Sequence, residues 1–208
     1  MSHKNPDRIS EYEFSIGVRL THWIRFIAIT LLVVSGYYIS YVFMSPEITS
    51  EPTNFMQAKW RLAHQVAGFV LIAVFIFKFY LFVFDKHSKK EWMSVLDFLS
   101  PKVWIAQIKY YIFMGPHPHL RGVYNPLQFA SYFFFYVILA LICLTGLVLY
   151  AHVYHNGLGG AIYEPARYFE ELMGGLANVR TIHRICMWII MIFVPIHVYM
   201  AIFNAVKG

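Results

Sequence analysis

The chain has 208 residues, of which 59% are hydrophobic, 19% aromatic and 13% charged, with a formal net charge of +6. One water-soluble domain of this length cannot bury that much apolar surface, so lipid must be the solvent for much of it. The positive charge is not gathered in a polar folded domain, which excludes nucleic acid as a partner and points to the anionic headgroups of a lipid bilayer.

An α-helix rising about 1.5 Å per residue needs about 20 mostly apolar residues to cross a hydrocarbon core roughly 30 Å thick. The polar head, residues 1–15, is too short to fold alone and is expected at the cytoplasmic surface. The first predicted helix, about 18–44, contains the uncharged run from Phe26 to Met44. It begins too far in, and is too rich in Tyr and Trp, for a cleaved signal peptide, and reads as a retained anchor. Residues 45–59, with Pro46 and Pro52, form a short external connection. The second helix, about 60–84, carries only Lys78 within its apolar run, near the far end, from which an ammonium is expected to snorkel.

A longer loop, 85–125, follows. Ser100 is expected to cap and Pro101 to open a helix over about 101–113, in which Trp104, Ile105, Ile108, Tyr111 and Ile112 recur opposite Lys102 and Lys109. That pattern suits a helix lying in the membrane interface. The third spanning helix, about 126–152, is uncharged, and the Gly-rich loop after it holds a short helix from Pro165 to Leu172. The fourth, about 179–206, contains Pro195, which should free a backbone carbonyl and bend the helix.

Lys4, Arg8, Arg19, Lys86, Lys89, Lys90, Lys102, Lys109 and Arg121 gather in the head and the 85–125 loop, which puts both termini in the cytoplasm. The prediction is an all-α membrane protein, a single domain over 1–208 built as a four-helix bundle. Cys143 and Cys186 lie in apolar runs and are expected unpaired; neither belongs to a CxxCH motif.

Ionisable side chains inside a membrane are costly and mark function by default. Of ten histidines, His22 opens helix one, His64 opens helix two, and His183 and His197 lie in helix four. A spacing of fourteen returns to within roughly 40° of the same helix face and spans about 21 Å, so helix four presents two ligands near opposite membrane surfaces. The topology puts His64 level with His183 on the outer side and His22 level with His197 on the inner side. Two imidazoles per site, with no carboxylate or thiolate at the same depth, suit low-spin iron of non-covalent b-type haem used for electron transfer. Two haem b are therefore expected, with Gly36 and Gly68 giving a ring room near the backbone. Arg19, Arg61, Arg180 and Arg184 flank the ligands as candidate propionate partners. A transporter that used the histidines as a relay would bring Asp or Glu into the bundle, and these apolar runs contain none.

The segments Val18-Arg19-Leu20-Thr21-His22-Trp23, Val34-Ser35-Gly36-Tyr37 and Arg180-Thr181-Ile182-His183-Arg184, with Met187-Trp188 and the Ile196-His197-Val198-Tyr199-Met200-Ala201 ending, resemble the b-type cytochrome subunit of membrane-bound nickel-iron uptake hydrogenases. The resemblance covers essentially the whole chain. It implies a multi-pass protein of the bacterial inner membrane without a hydrogen-splitting site of its own. Such a subunit takes electrons from the iron-sulfur small subunit of a periplasmic hydrogenase, and through it from the large subunit. It passes them from the outer to the inner haem and reduces a membrane quinone, here expected to be menaquinone. The four matching histidines are then the haem ligands. The gamma subunit of formate dehydrogenase is a more distant relative of the same architecture and supplies the alternative partner.

The quinone is expected near the inner haem, where the loop re-enters helix three through His117-Pro118-His119-Leu120-Arg121-Gly122-Val123-Tyr124-Asn125-Pro126. A quinone carbonyl needs a hydrogen-bond donor and then a proton, and Tyr111, His119 and Asn125 are chemically suited to this.

Overall fold

The computed structural model describes residues 15–44, 55–85, 88–112, 114–116, 119–122 and 124–207. The head up to residue 14, the connection bearing Pro46 and Pro52, Lys86 and His117 lie outside the described residues. The elements are α1 Ile16–Ser40, α2 Met56–Phe84, α3 Lys89–Phe98, α4 Pro101–Tyr111, α5 Pro126–Val153, α6 Leu158–Ala161, α7 Tyr163–Leu172 and α8 Leu176–Lys207. Four of them, α1, α2, α5 and α8, are long and apolar enough to cross a membrane.

The helix ends follow local chemistry. Ser15 caps α1 by accepting from the Val18 N–H. Asn125 and Gln128 form a reciprocal capping box at the start of α5, where Pro126 occupies the first turn and has no N–H to leave unpaired. Gly174 and Gly175 take positive φ angles of 85° and 96°, a conformation costly for other residues, and their N–H groups close α7 on the carbonyls of Glu171 and Glu170. α8 then runs on through Pro195 to Lys207.

α1 and α2 pack antiparallel. A Cβ placed on Gly17 would stand 3.2 Å from Leu81 Cδ1, and at the other end Tyr38 stacks on Trp60 at 4.7 Å. α5 packs along α8, and α2 touches α5. The middle layer is apolar: Ala28, Ile29, Leu71, Phe135, Ile138, Leu139, Cys186 and Ile190 form one buried cluster. Lipid tails are as apolar as these side chains, so the layer is held by close packing rather than by transfer out of water. Phe26, Leu31, Leu62, Ile76, Phe79, Phe133 and Ile192 are exposed and face the lipid. Cys143 and Cys186 are free thiols.

The end carrying the 85–125 loop departs from expectation. α3 was not anticipated, α4 stops at Tyr111, and Ser100 occupies the N-cap position of α4 without a side-chain cap bond. Lys78 does not snorkel. Its Nζ lies 3.1 Å from both carboxylate oxygens of Glu91 on α3, and the two side chains are only 11% and 9% exposed. A buried ammonium needs a counter-charge, and α3 brings one inward where the sequence suggested only an apolar run. Asp97 then ties the rest of the loop down, its Oδ2 accepting from the N–H groups of Arg121 at 2.7 Å and Gly122 at 3.0 Å. Ser94 Oγ accepts from the Tyr124 N–H at 3.1 Å.

The opposite end is shorter. α7 covers the end of α5 with Ala166 and Glu170 buried, and Arg167 donates to Glu170 at 2.8 Å while His152 lies 3.6 Å from it. The hydrogen bond to the Glu170 carboxylate raises the Arg167 guanidinium above its ordinary value.

Candidate functional site

The four intramembrane histidines form two pairs. The rings of His64 on α2 and His183 on α8 have centroids 6.3 Å apart, and those of His22 on α1 and His197 on α8 are 6.2 Å apart. A metal–nitrogen bond of about 2 Å, with roughly 1.2 Å more from nitrogen to ring centre, puts two imidazoles on opposite sides of one metal about 6.3 Å apart. Both pairs stand at that separation. The buried apolar cluster lies between them, since its α8 members Cys186 and Ile190 fall between His183 and His197.

Among the described residues no group of three or more His, Cys, Asp or Glu could enclose a metal ion. Two facing imidazoles supply two nitrogen donors, a set that would suit the iron of a non-covalent haem. α1 is paired with α2 and α5 with α8, and both histidine pairs bridge from the first set of helices to α8.

The outer pair is held from behind. Ser35 Oγ lies 2.9 Å from His64 Nδ1, and Thr145 Oγ1 lies 2.9 Å from His183 Nδ1. Each hydroxyl proton is already engaged on its own helix: Ser35 donates to Leu31 O at 2.6 Å and Thr145 to Leu141 O at 2.9 Å. Each oxygen must then accept, which makes Nδ1 the protonated nitrogen and leaves the Nε2 lone pair for a metal.

The inner pair is held differently. Arg25 Nη2 approaches His22 Nδ1 at 3.5 Å, while Nη1 donates to Tyr136 Oη at 2.6 Å, with the guanidinium 5.3 Å from the Tyr136 ring centre. His197 is flanked by Phe193, nearly parallel at 6.0 Å, and by Tyr132, edge-on at 5.9 Å. Tyr132 in turn meets Tyr124 of the loop at 5.0 Å.

A family model described as prokaryotic cytochrome b561 matches residues 13–208. The chain belongs to that family. Among similar curated proteins is a "Probable Ni/Fe-hydrogenase B-type cytochrome subunit" of Rhodobacter capsulatus, 31% identical over an aligned length of 203, which covers 94% of this chain and 75% of the relative. The corresponding hydrogenase 1 subunit of Escherichia coli strain K12 is 30% identical over 97% of this chain and 86% of its own length. A namesake of the first from Cupriavidus necator is 30% identical over 95% and 81%. Membership of a cytochrome b561 family implies b-type haem as the class of cofactor.

The other predicted site residues are dispersed. Arg61 lines a cleft of about 690 Å³ with Tyr38, Gln65 and Tyr154 beside the outer pair, while Arg180 and Arg184 are exposed on either side of His183, and Arg19 is exposed three residues before His22. Gly36 makes room for the His64 ring, since a Cβ there would lie 3.1 Å from its Cε1. Gly68 faces Leu32 at 3.9 Å and serves the packing of α1 on α2. Of the quinone candidates, Tyr111 closes α4 but its side chain lies outside the described residues; His119 is exposed. The Asn125 amide oxygen is committed to the cap of α5. Sequence reasoning missed Ser35, Thr145, Gly146, Tyr132 and the bond from Arg25 to Tyr136. The signal for the first three was present, a hydroxyl residue followed by glycine in the middle of each of two uncharged runs.

Proposed function

We propose that the chain is the two-haem cytochrome b subunit of a nickel-iron hydrogenase, carrying electrons from the iron-sulfur small subunit on the periplasmic side to a quinone in the bacterial inner membrane. The observation that carries this reading is the pair of histidine pairs, 6.3 Å and 6.2 Å between ring centres, on either side of an apolar layer. The hydrogenase partner is supported by the names of the relatives. The orientation, with both termini cytoplasmic, rests on the Lys and Arg bias of the loops.

In this reading His64 and His183 hold the outer iron, and His22 and His197 the inner one. Haem bound at each site supplies reversible one-electron storage at low cost in rearrangement. The chain does the rest. The imidazoles fix each site on rigid helices, and the cluster around Leu139 and Ile190 keeps water out of the space between the sites. Arg61, Arg180 and Arg184 offer propionates a positive edge at the outer end, and Arg19 does so at the inner end.

The quinone reading centres on the inner end. The ring contacts from Tyr124 through Tyr132 to His197 connect the loop bearing His119 and Asn125 to the inner pair. His119 and Tyr111 are proposed as proton and hydrogen-bond donors to the quinone, and Asn125 as a donor through Nδ2. Menaquinone is the proposed substrate.

Two measurements on the purified membrane complex test this. Haem extraction with reduced-minus-oxidised spectra should give two b-type haems per chain. Hydrogen should then reduce both haems, with a menaquinone analogue reoxidising them. One haem per chain, or haems that hydrogen leaves oxidised, would overturn the proposal.

A further inference from the structure

α1 and α5 carry the same short device at the outer pair. On α1, Ser35 is hydrogen-bonded to His64 Nδ1 and the next residue, Gly36, would place a Cβ 3.1 Å from His64 Cε1. On α5, Thr145 is hydrogen-bonded to His183 Nδ1 and the next residue, Gly146, would place a Cβ 3.5 Å from His183 Cε1. Both hydroxyls are fully buried, both lie 2.9 Å from their nitrogen, and both are fixed by bonds to the carbonyls three and four residues back.

We infer that Ser35-Gly36 and Thr145-Gly146 are twin positioning elements that lock the outer histidines in the Nδ1–H tautomer and set the electronic character of the outer site apart from the inner one. The inference rests on the proposed haem ligation of His64 and His183. An Nδ1–H donated to a buried oxygen makes the imidazole a stronger electron donor through Nε2, which stabilises the oxidised form of a metal bound there. The glycine leaves room for the Cε1 edge of the ring beside the hydroxyl that meets Nδ1 at 2.9 Å. The inner pair has no such device among the described residues. His22 Nδ1 meets a guanidinium, which is a donor only, at 3.5 Å, and His197 is held between aromatic rings.

The test is potentiometric titration and low-temperature EPR of the purified complex, with the inner haem as internal reference. Ser35→Ala and Thr145→Ala should each raise the midpoint potential of the outer haem and broaden its low-spin signal, leaving the inner haem unchanged. Thr145→Ser keeps the hydroxyl and should restore the wild-type potential. Gly36→Ala should shift the outer signal more than Gly146→Ala, because 3.1 Å forces the ring to move and 3.5 Å does not.

Unchanged potential and EPR in both Ala variants, with two haems retained, overturn the inference while leaving the proposed function intact. Absence of two b haems in the wild type fails the proposed function itself. If the Ala variants lose the outer haem, a Thr145→Ser protein that retains it at the wild-type potential supports the inference. A Thr145→Ser protein whose potential rises as far as expected for Thr145→Ala refutes it.

Discussion

Replacing Glu91 by Ala removes the counter-charge that the Lys78 ammonium holds at 3.1 Å in a largely buried setting. At 3.1 Å, and at an effective dielectric of about 20, the attraction that is lost is about 5 kcal/mol. Part of it is offset in the wild type by the cost of burying both ions. Removing one partner of such a pair is expected to cost about 3–5 kcal/mol, whereas replacing both by apolar residues of similar size is expected to be neutral to stabilising. A pair reaching into solvent would instead be worth at most about 1 kcal/mol. The assay is equilibrium unfolding in mixed detergent micelles, titrated with a denaturing surfactant and followed by far-ultraviolet circular dichroism. Glu91→Leu, Lys78→Met and the double Lys78→Met/Glu91→Leu form the cycle, with Glu91→Ala measured beside it. Both single variants should lose several kcal/mol, and the double should recover most of that loss. Raising the ionic strength from about 0.1 to about 1 M shortens the screening length from about 10 to about 3 Å and should leave the difference almost unchanged, because the pair is shielded from ions. A Glu91→Ala loss below about 1 kcal/mol, or a double variant as unstable as the singles, would refute the assignment of Lys78 to a buried pair.

The remaining predictions concern the site and its supports. His183→Ala should lower the haem content from two to one per chain and leave the inner spectrum in place, and His197→Ala should do the converse; either variant retaining both haems contradicts the pairing. Asp97→Ala removes the acceptor for two backbone N–H groups and should cost about 1.5–3 kcal/mol. Hydrogen exchange at Arg121 and Gly122 should accelerate in the same variant, and unchanged protection of both amides would count against the contact. Gly122→Ala should unfold the loop locally, since a Cβ there meets Ser94 Oγ and its backbone N at less than contact distance; retention of a native protease-digestion pattern would argue against that close approach. Asn125→Ala should cost about 1 kcal/mol through loss of the capping box, and Asn125→Asp, which keeps an acceptor for the Gln128 N–H, should cost less.

Much of this protein was legible in its sequence because the bilayer imposes simple rules. A helix that satisfies its own backbone and needs about 20 apolar residues leaves an unmistakable run, and four such runs became α1, α2, α5 and α8. The same logic made intramembrane histidines conspicuous and set their depths, and in the structure the ring of His183 stands beside that of His64 and the ring of His197 beside that of His22. Asn125-Pro126 marked the start of α5 for a local reason, a cap followed by a residue with no N–H. In these places the determinant lies within a few residues of the feature it determines.

What only the tertiary structure decided was which distant groups meet. Lys78 read as a snorkelling lysine because nothing local provides its counter-charge; Glu91 arrives from a helix that packs back against α2. Gly36 and Gly68 looked alike, yet one faces the His64 ring and the other faces Leu32. Ser35 and Thr145 stand 29 and 38 residues along the chain from the histidines they hold, a pairing that no local pattern specifies. Periodicity fixes the depth and face of a side chain along its own helix, but the rotation of one helix against another is set by packing throughout the bundle. The sequence alone therefore determined the four helices and the depth of their histidines, and the tertiary structure decided what stands behind each of those rings.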